Sequence, residues 1–302
     1  MTTSRPRSTT RRATTPATPI ATVEPEETVD DRVVRVARRG FVRLGDVMVN
    51  PVVQREFIPS KADAIAAEFD PEHFGTPVVN MREGRAWLID GQHRCAALKI
   101  WLGEGWQDQH FEAEIYDDLT EAQEAETFLK RNNSTAVNAF NKFRIGVVAG
   151  REDEQIVAGI VLREGLTISR DRNAEGRVMA VGTLLRIYRR AGGGVLQRTL
   201  GIIRDAYGTA GLDALVLAGM SFVVHRYDKL NDAEMVHRLQ NAYGGVGGML
   251  AKAERARKET GNPKTGCVAA AIVDTYNSMA TKDGGDGTRL VSWWKALADS
   301  DA

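Results

Sequence analysis

The chain has 302 residues, enough for two domains of ordinary size and a core that needs no cross-links. Forty basic side chains balance forty acidic ones, which excludes a wholesale polycation and leaves room for a local basic face. Cys95 and Cys267 are too few for a disulfide framework or a cysteine-based zinc site. No stretch reaches the roughly 18 uninterrupted apolar residues of a membrane span, and the N-terminus shows no apolar signal core. A soluble, cytoplasmic chain with no membrane partner is expected.

Residues 1–28 are mostly Thr, Arg, Pro, Ala and Ser, without periodicity. Such a composition cannot bury enough apolar surface to offset its ordering entropy, so this part reads as a disordered basic tail. Arg5, Arg7, Arg11 and Arg12 precede the first acid, Glu24, and suit either contact with nucleic-acid phosphates or simple solubilisation.

Residues 29–135 alternate strand and helix signals. Phe41 to Val49 is apolar at its start and ends at Asn50-Pro51. Ser60 with Asp63 reads as a helix start, and Ala62, Ile65, Ala66 and Phe69 follow at helical spacing. Pro77–Met81 and Arg85–Ile89 flank Glu83-Gly84 as a hairpin. A helix from about Arg94 to Leu102 and a strand from Phe111 to Tyr116 come next. Thr120 and Gln123 form a capping signature for a helix ending near Arg131-Asn132-Asn133.

Residues 136–302 carry the helical period almost throughout. Phe140, Phe143 and Val147 share one face, and Ile156 and Ile160 another, before Gly165. Further helices are expected over 177–190, 195–207, 210–227, 232–258, 266–280 and 288–297. The fold class is therefore α+β, with an α+β N-terminal domain followed by an all-α C-terminal domain. Trp293 and Trp294 read as a packing anchor.

The stretch Leu88-Ile89-Asp90-Gly91-Gln92-His93-Arg94-Cys95-Ala96-Ala97 is the most informative. An apolar strand ends in a glycine turn that feeds a helix, where unpaired backbone N–H groups and the macrodipole favour an anion. His93 and Arg94 add charge-assisted donors for phosphate oxygens. The purely structural alternative has Asp90 capping the helix and Arg94 pairing with an acid. Asp90 could also orient Arg55 or Arg94, or hold Mg²⁺ beside a phosphate; the structural roles are favoured.

Asn50-Pro51-Val52-Val53-Gln54-Arg55, then Asp90-Gly91-Gln92-His93-Arg94, then Arg131-Asn132-Asn133 follow one another between about Leu44 and Phe143. In that order they resemble the ParB/sulfiredoxin superfamily, and specifically its subgroup named for the D-G-Q-H-R signature, known from phage and actinobacterial proteins. The resemblance implies a ParB/sulfiredoxin-like domain at 29–135. It also implies CTP or ATP with Mg²⁺ as ligand, DNA and a nucleotide as partners, and a homodimer among the assemblies to expect. Gln54, Arg55, Gly91, Gln92, His93, Arg94, Arg131, Asn132 and Asn133 become the candidate phosphate pocket, with Asn138, Lys142 and Arg144 as a further wall.

Departures from the pattern matter. Gln92 stands where sulfiredoxin has its nucleophilic cysteine, and a glutamine cannot form the thiol-linked intermediate, so that activity is not expected. ParB carries Glu and Arg where this chain has Gln92 and His93, so selectivity for CTP is not carried over. By analogy with the helical part of ParB, Arg186, Arg189, Arg190 and Arg198 are candidate DNA contacts, with a recognition helix near 195–207. The resulting expectation is a ParB-like, nucleotide-binding, DNA-associated protein of phage or plasmid type, with slow NTP hydrolysis allowed. Two alternatives stand beside it. One is a metal-dependent DNA nuclease with Asp90 and His93 catalytic and Glu112 or Glu114 assisting. The other is a phage protein-binding adaptor with a vestigial pocket.

Overall fold

The computed structural model describes residues 36–132, 137–171, 173–282 and 284–295. The tail expected over 1–28 lies outside these, as does Asn133. Strand β1 (Arg38–Arg43) leads through a 3-10 turn (Leu44–Asp46) into β2 (Val47–Met48), so the apolar run expected from Phe41 to Val49 is broken in two. Strands β3 (Val78–Arg82) and β4 (Arg85–Asp90) form the expected hairpin. Its turn residues Glu83 and Gly84 both have positive φ, 55° and 72°, as a two-residue hairpin loop requires. With β5 (His110–Asp117) these strands make a sheet in the order β1-β5-β3-β4-β2. Strand β3 runs parallel to β5 and β2 parallel to β4, while the other two ladders are antiparallel.

Because successive strand side chains point to opposite faces, neighbouring residues enter different cores. Val79 and Leu88 pack on one face with Val42, Phe111, Ile115 and the buried thiol Cys95. Val78 and Ile89 pack on the other with Val53, Leu119, Phe128, Leu129 and Ile145. Helix α1 (Pro59–Ala67) and α2 (Gln92–Leu102) pack against each other, whereas α3 (Glu121–Arg131) belongs to the second face. The capping signature on Thr120 and Gln123 is present as a reciprocal box. Helix α1 starts at Pro59 rather than from a Ser60 cap, since proline's fixed φ suits the first helical position. Helix α2 starts at Gln92, two residues earlier than expected, directly on the left-handed Gly91.

The helical part comprises α4 (Ala139–Val148), α5 (Glu152–Arg163), α6 (Val181–Tyr207), α7 (Ala214–Arg226), α8 (Asp232–Asn241), α9 (Gly245–Thr260) and α10 (Lys264–Ser278) around one core. It is not purely α, as a short parallel ladder joins β6 (Thr167–Ile168) to β7 (Arg177–Val178). The two helices expected at 177–190 and 195–207 are both present within α6, interrupted at Gly192, whose backbone (φ 81°, ψ 173°) is not helical, and the first starts at Val181 because Arg177–Val178 is a strand. The expected 232–258 helix is instead divided at Gly244, whose φ of 84° a helix interior cannot hold. No helix forms from 288 to 295, because side chains hold the carbonyls that a helix would use. Asn277 takes Leu290, Tyr227 takes Val291, and Arg226 takes Trp293 and Lys295. Of the two tryptophans expected to anchor this end, Trp293 stacks on Phe222 at 6.4 Å between ring centres, whereas Trp294 is about half exposed.

Arg238 is completely buried and stacked on Tyr276. It donates to Glu234 (2.5 Å), Asp286 (2.5 Å) and the carbonyls of Tyr276 (3.2 Å) and Thr288 (2.7 Å). Burying this charge is tolerated only because every face of the guanidinium meets an acceptor or an aromatic ring. Among the described residues no helix is long and apolar enough to cross a membrane.

Candidate functional site at the start of helix α2

Strand β4 ends at Asp90, Gly91 turns the chain with φ 102°, and α2 begins without a side-chain cap. A methyl group at Gly91 would sit 3.0 Å from Cβ of Pro77, so both the conformation and the space call for glycine. The helix's own ladder opens with the Cys95 N–H donating to the Gly91 carbonyl (2.8 Å). The N–H groups of the residues before Cys95 therefore lie ahead of that ladder, the arrangement that suits an anion.

Asp90 does not cap α2. Its carboxylate accepts from Arg94 Nη2 at 3.1 Å, while Arg94 Nη1 donates to the Phe74 carbonyl at 2.9 Å. The guanidinium also lies close over Gly75, where a Cβ would come within 2.7 Å of Nη1. Arg94 thus ties α2 to the 74–75 turn. A partly apolar hollow of about 520 Å³ lies beside it, lined by Ile65, Phe69, Phe74 and the acids Glu68 and Asp70.

His93 is 4% exposed, stacks on Phe57 at 5.2 Å, and accepts the Ile58 N–H at Nε2 (3.1 Å). An accepting Nε2 puts the ring proton on Nδ1, a buried atom without a partner, and Oε1 of the adjacent Gln92 is likewise buried and unpaired. Burial lowers the affinity of His93 for a proton, and the cations Arg55 and Lys61 lower it further. Arg55 makes no hydrogen bond or ion pair among the described residues.

The other expected pocket members are held elsewhere. Gln54 is buried and donates from Nε2 to the carbonyls of Leu88 (2.7 Å) and Ile89 (2.6 Å), clamping the end of β4. Asn132 donates to Phe128 O (3.0 Å) at the end of α3, and Arg131 pairs with Glu114 on β5. Asn138 caps α4 by accepting from Asn141 N, and Arg144 donates to the carbonyls of Val52 (2.7 Å) and Gln54. So the turn gathers Gly91, Gln92, His93 and Arg55, while Gln54, Arg94, Arg131, Asn132, Asn138 and Arg144 serve as structural ties. Gln54 escaped sequence reading as a clamp because no local pattern links it to residues 88–89.

The groups named for a nuclease are not assembled. His93 Nε2 already accepts Ile58, Asp90 is paired with Arg94, Glu114 with Arg131, and Glu112 with Arg39 (3.8 Å). Among the described residues no group of three or more His, Cys, Asp or Glu could hold a metal ion. Cys95, buried, has its thiol pushed up to about 12 by desolvation and is not a nucleophile.

The four candidate DNA arginines differ from one another. Arg189 pairs with Asp153 (2.5 Å) and Arg198 with Asp232 (2.6 Å) and the Leu230 carbonyl (2.9 Å). Arg190 donates to the Ser221 hydroxyl (2.7 Å) and covers the Phe222 ring. Arg186 is exposed and, among the described residues, donates only to the Thr183 hydroxyl (2.9 Å). The 195–207 segment turns Leu196, Thr199, Leu200, Ile202 and Ile203 into the core.

No curated protein matches the chain. Among solved structures, it is similar to the C-terminally truncated chromosome-partitioning protein ParB from Caulobacter crescentus complexed with CTP-γ-S. The identity is 12% over 80% of this chain and 98% of that one, with a TM-score of 0.26, and this likeness places no residue. Residues 50–283, well over half the chain, match the group described as "Family of unknown function (DUF6551)", and to that family the chain belongs.

Proposed function

We propose that the chain is a ParB-like, nucleotide-binding and DNA-associated protein, with the first turn of α2 as its phosphate-binding element. The observation that carries this reading is an uncapped helix start on a left-handed glycine, where the charges acting on His93 are the cations Arg55 and Lys61. Backbone N–H groups of the first turn would receive phosphate oxygens, and the unpaired Arg55 would close over them with its planar fork. Pairing with Arg94 neutralises Asp90, which removes the repulsion that a bare carboxylate would exert on a phosphate. CTP or ATP is the ligand class, and Mg²⁺ would ride on phosphate oxygens and water, since the nearby carboxylate is already paired. DNA association rests on the sequence resemblance, and Arg186 is the arginine best free to serve it.

Calorimetry with CTP, ATP and GTP, each with and without Mg²⁺, tests the first part. Binding that weakens about tenfold in Arg55→Gln supports the reading. No binding of any of the three, or undiminished binding by Arg55→Gln, removes it. Fluorescence anisotropy with duplex DNA across a salt series tests the second, and a flat response at low salt rejects it.

A further inference from the structure

The hollow beside Arg94 runs along α1 and the 3-10 turn that follows it (Pro71–His73), with Ile65, Phe69 and Phe74 as its apolar floor. The Phe69 ring stands 5.9 Å from that of Phe74 and 4.9 Å from that of Trp101 on α2, so three aromatic rings form a continuous row. Trp101 is half exposed, and Ile65 and Ile100 also turn much of their surface to water. A contiguous apolar surface of this kind marks a place where something docks.

The rim gives that surface a sign. The Glu68 carboxylate makes no hydrogen bond or ion pair among the described residues. Asp70 accepts from the Glu72 N–H and pairs with His73 (2.7 Å). Arg94 is the one Lys or Arg in the lining, and its charge is already met by Asp90. Lys99, on the same helix, lies over the Trp106 ring instead. The groove therefore suits an apolar segment that brings its own cations.

The chain contains such a segment. Arg11-Arg12-Ala13-Thr14-Thr15-Pro16-Ala17-Thr18-Pro19-Ile20 joins two arginines to a Pro-x-x-Pro spacing, and no acid precedes Glu24. Pro-x-x-Pro sequences favour the extended left-handed helix that docks on aromatic grooves at small ordering cost, with the two prolines about 9 Å apart. That spacing matches two ring-to-ring steps along the row. Reach is no obstacle. Ile20 stands 16 positions before Val36, the first described residue, and a stretch of that length extends to about 50 Å, more than the width of a domain of this size. The groove also shares a face of the sheet with β1, because Phe74 packs on Phe111 (5.9 Å) and Phe111 is the register partner of Val42. We propose that the groove holds the chain's own segment 11–20, with Pro16 and Pro19 on the aromatic row and Arg11 and Arg12 on Glu68 and Asp70.

Disulfide trapping on the full chain is the test, since Cys95 and Cys267 are buried and leave introduced thiols to react with each other. Ala17→Cys is combined either with Ala64→Cys in the groove or, as the reference, with Glu112→Cys on β5, opposite Phe41 of β1. Ala64, Glu68 and Glu112 are all exposed, so folding is not at stake. Under mild oxidation the groove pair is expected to close about tenfold faster than the reference pair, because docking raises the local concentration of the two thiols. The advantage should disappear when Pro16 and Pro19 are both replaced by Ala, and shrink in Glu68→Lys. Equal rates at the two positions, or an advantage that survives both sets of changes, overturns the proposal. Chains carrying Ala17→Cys alone and Ala64→Cys alone are also mixed. Cross-linked dimer forming as fast as the intramolecular bond would assign the groove to a second copy and overturn docking within one chain.

Discussion

His93 and Ile58 are joined across 35 residues by one hydrogen bond, the Ile58 N–H donating to Nε2 at 3.1 Å. The bond needs a neutral ring, because a protonated Nε2 has no lone pair left to accept. Burial together with Arg55 and Lys61 holds the folded-state affinity for a proton below its ordinary value of 6.5. The stability from the neutral ring is therefore fully present above that value and is lost as pH falls through the lowered one. Replacing His93 by Phe should cost about 1 kcal/mol near pH 7.5, and the gap should narrow on acidification. Paired urea titrations at several pH values measure it. A gap that stays constant down to pH 5 contradicts the assignment.

Arg94 is expected to matter for folding more than for ligand affinity. Arg94→Ala leaves the Phe74 carbonyl without its guanidinium donor and Asp90 without its cation, a loss of about 1–3 kcal/mol. Asp90→Asn should cost less, as the amide oxygen still accepts from Nη2. A double-mutant cycle by urea denaturation should return a coupling of about 0.5 kcal/mol or more. Strict additivity would mean that the pair is not formed in solution.

Glu124 provides the opposite pH signature. Its carboxylate is buried and accepts from Asn80 Nδ2 at 2.7 Å, and desolvation raises its affinity for a proton despite Asn80 and Arg82. Stability from the protonated form is present below the ordinary value and is lost as pH rises through the raised one. Glu124→Gln does not titrate and still accepts from Asn80. The variant should gain melting temperature relative to wild type as pH goes from 4 to 8, and a difference that ignores pH would contradict this account.

Arg238→Met should be the most damaging single change among these. It strands Asp286, Glu234 and two carbonyls at once, and breaking a buried pair of this kind typically costs about 3–5 kcal/mol. Limited proteolysis should find new cleavage sites near residues 284–290. If the chain there stays as resistant as in wild type, Arg238 is not what holds it.

Elements whose signals are local were legible in the sequence. The Thr120–Gln123 box, the Glu83-Gly84 turn and the strand–glycine–helix passage at Gly91 each depend on residues a few positions apart. What escaped notice depends on distant partners. Nothing near Arg94 in the chain says that the Phe74 carbonyl will occupy it, and nothing near Leu290 announces Asn277. The candidate pocket was over-populated for the same reason: Arg131 and Asn132 have the right chemistry, but Glu114 and Phe128 reach them first.

Helix α4 serves two cores, turning Ile145 toward the sheet while Phe143 and Val147 join the helical bundle. Arg144 on the same helix grips the backbone at Val52 and Gln54. A fragment ending at residue 132 would thus forfeit a lid over Phe128 and Leu129 and the brace that steadies the approach to Arg55. Anyone dissecting the molecule should carry the cut beyond Val148, or the isolated sheet half will aggregate for want of its neighbour.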